Sequence, residues 1–289
     1  MILSDKPRFG PGGNSEAFNA LYKGKTLLAP KWVAEMGLDA YEYEAGQGIS
    51  ASPEMLRAIG IEAAKAGIYL SFHAPYFISL SSVEEQKRLN SVEYIQRSLY
   101  AASCLGADTI VVHTGSAGKI SREQAMAYAA ETLSILLENA SFYGVRVGLE
   151  TMGKKNQLGT LDEVLRLCQL DTSRLVPVVD FGHLNARDCG GVFQNADDYR
   201  RVFEKIALSH SDDAARHLHC HFSRIEYTEG GEKRHKNFSD TEWGPDFEPL
   251  MEVLAKEKLA PTIICESAGN QAHDALAMKE YYNSLKRGE

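Results

Sequence analysis

A unit of helix, glycine and short apolar strand recurs along the chain, and it limits the architectures open to it. Met36-Gly37-Leu38, Ala66-Gly67-Ile68, Leu105-Gly106-Ala107 and Tyr143-Gly144-Val145 each read as a helix end, a glycine and a strand start. Glycine just past a helix supplies the left-handed C′ residue and frees the chain to turn. Ser82-x-x-Glu85, Ser121-x-x-Gln124 and Thr160-x-x-Glu163 read as capping boxes, and Ser52-Pro53 as an N-cap with proline at N1. Strands are expected at 6–9, 39–44, 68–73, 108–113, 145–150, 175–180, 217–222 and 261–266. Eight strands in 289 residues give about 36 residues per unit, the size of a βα repeat. Strands alternating with helices imply a parallel sheet. Eight units favour the α/β class in its closed form, a single (β/α)8 TIM barrel over residues 1–289. No G-x-G-x-x-G follows the first strand, which weakens the open, dinucleotide-binding alternative.

Composition narrows the function. Hydrophobic residues are 44% and charged residues 24%, ordinary for a folded domain. No apolar run approaches the ~18 residues of a membrane span. The start, MILSDKPRFG, lacks the basic and apolar regions of a signal peptide. Five cysteines without a C-x-x-C pair argue against a disulfide framework or a thiolate zinc site. A cytoplasmic monomer with no membrane partner is therefore expected. The net charge of −8 excludes a strongly basic nucleic-acid binder but not a local basic rim.

The strand ends carry the chemistry. His73 ends the third strand in SFHAPY, His113 the fourth in IVVHTGS and Glu150 the fifth in VGLET. Asp180 ends the sixth in VVDFGH, with His183 three residues on; His221 lies in HCHFS and Glu266 in IICES. In a barrel these ends converge on the face where barrel active sites lie. Imidazoles with carboxylates suit Zn²⁺, or Mn²⁺ and Fe²⁺ at a more oxygen-rich site. Alternation along the seventh strand turns His217, His219 and His221 inward and Cys220 toward the helices. His219 then reads as a residue one layer below the ligands, Cys220 and Cys265 as small core residues, and His210, His217 and His273 as solvated or structural.

HAPY, VHTGS, LET, VDFGH and the final CES resemble the motifs of the endonuclease IV family of zinc-dependent apurinic/apyrimidinic endonucleases, over nearly the whole chain. The resemblance implies two or three clustered zinc ions. His73, His113 and Glu150 would hold the first, Glu150, Asp180, His221 and Glu266 the second, and His183 with His235 would contribute to the third. The family is expected to carry D-R-H in the loop after the seventh strand; here the text is Lys233-Arg234-His235. With lysine in the place of the acid, the third site is expected to be empty or weakly filled, unless the adjacent Glu232 takes over. Tyr76 of HAPY matches a residue the family inserts into the duplex. The loop Ala45-Gly46-Gln47-Gly48 offers no arginine wedge. Arg224, Lys233 and Arg234 are candidates for phosphate contact.

The implied activity is a metal-dependent hydrolase of DNA repair, a phosphodiesterase whose metal-activated hydroxide attacks the phosphate 5′ of an abasic site, with Glu150 and Glu266 as catalytic residues. The alternative is a divalent-metal sugar isomerase or epimerase. It would use Glu150, Asp180, His221 and Glu266 around one ion on a small sugar. A barrel that binds metal without turnover is a third reading.

Overall fold

A computed structural model describes residues 4–287. The expected 1–289 boundaries therefore include residues 1–3 and 288–289, which lie outside the described ones. Eight parallel strands form the barrel: β1 Arg8–Pro11, β2 Ala40–Glu44, β3 Tyr69–His73, β4 Thr109–His113, β5 Arg146–Glu150, β6 Leu175–Asp180, β7 His219–Phe222 and β10 Thr262–Cys265. They lie in the order β1-β10-β7-β6-β5-β4-β3-β2. The ring closes between β1 and β2, where Asp39 N–H donates to Phe9 O, Gly13 N–H donates to Glu42 O, and Gly12 bridges Glu42. Gly10 is required there, because a Cβ would lie 1.8 Å from Ala40 O.

Helices fill the gaps between strands: α1 Glu16–Tyr22, α2 Ala29–Glu35, α3 Pro53–Ala66, α4 Glu85–Leu105, α5 Arg122–Asn139, α6 Leu161–Cys168, α7 Phe181–Arg187, α8 Ala196–Ser209, α9 Asp212–Arg216, α10 Glu248–Glu257 and α11 Gln271–Arg287. Outward strand residues such as Ile110, Val112, Val147, Leu149, Val179, Cys220, Phe222, Ile263 and Cys265 join the helices' apolar faces in one buried cluster. Both cysteines thus pack in the core. Parity leaves the alternate residues to fill the interior, and the last of each becomes a strand-end side chain. Among the described residues no helix is long and apolar enough to cross a membrane.

Ser52, Ser121 and Thr160 cap α3, α5 and α6, and Thr160 with Glu163 forms the full reciprocal box. Two local expectations shift. Glu84 takes the N-cap position of α4 without a side-chain cap hydrogen bond, and Ser82 Oγ accepts from Glu84 N–H instead of Glu85 N–H. The first strand lies at 8–11, not 6–9, because the glycine and proline of FGP, which read as turn residues, are strand residues at the closing edge. A hairpin absent from the expected strand set follows β7: β8 Arg224–Thr228 and β9 Gly231–Lys236.

Candidate metal centre

The strand ends place His73, His113, Glu150, Asp180, His183, His221 and Glu266 together at one mouth of the barrel, and the hairpin adds Glu232 and His235. A cavity of about 350 Å³ opens there, lined also by Glu44, Tyr76, Lys154 and Gln157. Among the overlapping groups that could hold a divalent ion are His73, His113 and Glu150; Glu150, Asp180, His221 and Glu266; His183, Glu232 and His235; His73, His221 and Glu266; and, deeper in the barrel, Glu42, His219 and His221. Within a group the donor atoms lie within 4.8 Å of one another.

Ring orientation is set by hydrogen bonds to the backbone. A carbonyl only accepts, so Nδ1 of His73, His183 and His235 must donate to Ala74 O, Thr151 O and Glu266 O, at 2.9, 3.0 and 3.1 Å. Each ring then presents Nε2 to the cluster, the arrangement typical of metal-binding histidines. His73 Nε2 lies 3.5 Å from Glu150 Oε2, His113 Nε2 3.2 Å from the same oxygen, and His183 Nε2 3.4 Å from Glu232 Oε2. His221 is reversed: Nδ1 lies 2.9 Å from Glu150 Oε1 and 3.3 Å from Glu266 Oε1.

The donor set fits divalent cations. Glu150 Oε2 and Asp180 Oδ2 are buried carboxylate oxygens without a hydrogen-bond partner among the described residues, which is costly unless something positive reaches them. The protonation pattern agrees. Burial opposes ionisation of Glu150, yet the charge of the His221 ring and the nearness of the His113 and His73 rings hold its carboxyl well below the usual range. Burial disfavours the charged form of His183, but Asp180, Glu150, Glu232 and Glu266 outweigh it and raise the ring to about 9. Burial, with the charges of Glu150 and Asp180 overcoming His221, pushes Glu266 up to about 8. Protons here occupy places that a metal ion would take.

The hairpin corrects the expectation at residue 233. Glu226 pairs with Arg234 and Tyr227 with Glu232, so Lys233 is the extra residue of a β-bulge. Without the bulge, residues 233 and 235 would share a face and 232 would point away. With it, Glu232 and His235 both face His183, while Lys233 turns out and ion-pairs with Glu226. The acid of the third group is therefore Glu232. Arg224 is also turned away: it is buried and held by Asp240 O and Asp246. Arg234 is exposed and paired with Glu226. Tyr76 stands half-exposed on the rim.

Sequence reasoning missed Glu42 and Glu44. The signal was present in Ala40-Tyr-Glu-Tyr-Glu44: Tyr41 and Tyr43 join the outer core, so alternation sends both glutamates into the barrel. Glu44 stands exposed at the open end of the cavity, where the protein atoms crowding its carboxyl and the charges of Glu42 and Glu150 raise its pKa despite the His73 charge. His219 lies one layer below His221, against Glu42, as parity implies. His217 pairs with Asp213, His210 approaches Leu175 O and His273 is exposed.

Known proteins agree with this architecture. An uncharacterized protein of Methanocaldococcus jannaschii is 31% identical over 75% of this chain and 78% of its own length. A protein of Acholeplasma laidlawii named probable endonuclease 4 is 32% identical over 46% of this chain and 47% of its own. One of the same name from Carboxydothermus hydrogenoformans is 29% identical over 64% and 68%. Among solved structures, a D-tagatose 3-epimerase-like protein superposes with a TM-score of 0.71 at 22% identity, covering 96% of this chain and 98% of the other. Endonuclease IV from Thermus thermophilus superposes with a TM-score of 0.67 at 20% identity, covering 98% and 100%. At these identities the structures speak for the fold alone. The sequence profile of the xylose isomerase-like TIM barrel matches residues 30–287, nearly the full barrel, and the chain belongs to that family.

Proposed function

We propose that this protein is a divalent-metal-dependent phosphodiesterase that cuts DNA 5′ of abasic sites, with zinc as the expected ion and Mn²⁺ or Fe²⁺ as substitutes. One observation carries the reading: three donor groups adjoin, and the first two share Glu150. One ion suffices to hold a ketose, whereas adjoining ions suit a phosphoryl group with several charged oxygens. His73, His113 and Glu150, then Asp180, His221 and Glu266 with the shared Glu150, then His183, Glu232 and His235 would hold the ions, which supply positive charge to the phosphate and acidify a bound water. Glu150 spans two groups and orients what lies between them. Glu266, beside the shared Glu150, would take the proton from that water. Lys154 is the permanent cation lining the cavity, placed for a phosphate oxygen, and Tyr76 offers a ring face to the nucleotide. Lys233 and Arg234, exposed on the hairpin's outer side, attract the DNA backbone at longer range. An abasic nucleotide has no base to unpair, so drawing it into the cavity costs little. The working unit is one barrel, a monomer in the reducing cytoplasm, consistent with five free cysteines.

A sugar epimerase remains the second reading, favoured by a rim on which Glu44, Glu232 and Glu266 outnumber Lys154. There Glu150 or Glu266 would move the proton at the α-carbon. The deciding experiment incubates metal-counted protein with a duplex carrying one abasic site and, in parallel, with ketoses. Strand cleavage that a chelator abolishes and zinc restores supports the nuclease. Ketose epimerisation without cleavage decides for the alternative.

A further inference from the structure

Beneath the cluster, inside the barrel, lies a carboxylate that the proposed chemistry does not use. Glu42 is fully buried in the middle of β2. Ser71 Oγ donates to its Oε2 at 2.7 Å, and His219 Nε2 donates to the same oxygen at 2.9 Å. Its other oxygen, Oε1, lies 2.9 Å from His221 Nε2; the two are not aligned as a hydrogen bond here, and neither atom has a hydrogen-bond partner among the described residues. Burying a carboxylate is costly before any pairing, and an aliphatic side chain would fill the space without that cost.

The reversed ring of His221 accounts for it. His73, His183 and His235 each have Nδ1 fixed by a backbone carbonyl and present Nε2 to the cluster. His221 comes from within β7, presents Nδ1 to Glu150 and Glu266, and sends Nε2 down into the barrel. The acceptor beside that nitrogen is Glu42.

We propose that Glu42 is the positioning residue of His221: when an ion is held, a small turn of the ring lets the unpartnered Glu42 Oε1 accept from the unpartnered Nε2–H, which leaves the lone pair on Nδ1, the atom that faces Glu150 and Glu266. This rests on the reading that the Glu150, Asp180, His221 and Glu266 group holds a divalent ion. A neutral imidazole carries one N–H, so whichever nitrogen donates decides which one can ligate. A carboxylate on the far nitrogen also makes the ring a stronger ligand. Ser71 and His219 hold the carboxylate in turn, so a line of contacts runs from the barrel interior to the cluster. Glu42 touches no reacting atom; it acts through His221.

The test uses the full chain, stripped of metal and titrated with Co²⁺, with binding followed by the ion's visible absorption bands. Glu42→Leu removes the acceptor and keeps the volume. One Co²⁺ should bind roughly 10–100-fold more weakly, with shifted bands. Glu42→Gln restores an oxygen acceptor and should recover part of the loss. A leucine variant with the wild-type isotherm and bands, or a glutamine variant no better than the leucine one, overturns the assignment while leaving the metal centre standing. Wild-type protein that binds no Co²⁺ overturns the metal reading and this one with it. If Glu42→Leu does not fold, the wild-type protein decides: ¹H–¹⁵N correlation of histidine-labelled, Zn²⁺-loaded protein should show His221 protonated at Nε2. Protonation at Nδ1 overturns the proposal.

Discussion

Side chains at the mouth divide by how many neighbours each must serve. Glu150 faces His73, His113, His183 and His221 at once, whereas His73 has Glu150 as its one carboxylate neighbour at ion-pair distance among the described residues. Glu150→Ala should therefore release more metal than His73→Ala, and elemental analysis of the two purified variants measures it. Equal losses would mean that the carboxylate is not shared. At the third group, Glu232→Ala should remove about one ion, since Glu232 is the acid between His183 and His235. Lys233→Asp should leave the metal count unchanged and only set a second negative charge beside Glu226; a gain of metal would put residue 233 back in the site. The strand-end ligands were legible because each closes an apolar run and recurs at the βα spacing. Glu232 was not, because a bulge is a property of two paired strands. One strand's text, taken with regular alternation, puts 233 and 235 together.

Among the elements, the segment after β5 joins the barrel to the hairpin. Arg187 on α7 is buried and donates to the carbonyls of Met152, Lys154, Lys155 and Gln157. Arg122 on α5 reaches Lys155 O and Gln157 O from the other side. The clamped segment then receives the hairpin: Glu232 N–H donates to Gly153 O, and Lys155 N–H to Gly230 O. Arg187→Met should leave the buried Met152 O without its donor and loosen the segment, costing roughly 1–3 kcal/mol in urea unfolding, and the group containing Glu232 should lose its ion before the other two. Retention of that ion with unchanged stability would show that the clamp is dispensable. Helices with a side-chain cap and a following glycine were legible to the residue, as at Ser52 and Gly67. The hairpin was not, since Arg224–Lys236 is charge-rich and its apolar face is short, with Ile225 fully buried.

For the whole molecule, the titrating groups set a pH slope. His183 is raised from 6.5 to about 9, so it stabilises the fold below pH 6.5 and that contribution is lost as pH climbs through 9. Glu266 is raised from 4.5 to about 8, so the fold favours its protonated form, and that contribution is lost as pH climbs from 4.5 through 8. Glu150 and Glu42 are depressed, and their contribution disappears only well below pH 4.5. Metal-free protein should thus melt at a lower temperature at pH 9 than at pH 6.5, and zinc should reverse the order by replacing the protons. Thermal melts with chelator and with zinc check both signs; a flat metal-free profile would contradict the charge pattern. The eight-strand ring was legible from the repeat, but its joint was not, because FGP carries turn residues into a strand. That joint has a kinetic consequence. Asp39 and Gly13 supply the backbone hydrogen bonds described between β1 and β2, whereas β4 and β5 run in register over five residue pairs. The cylinder is therefore expected to open there before it opens between β4 and β5, and hydrogen exchange should find the amide hydrogens of Gly13 and Asp39 trading with solvent ahead of those in β5.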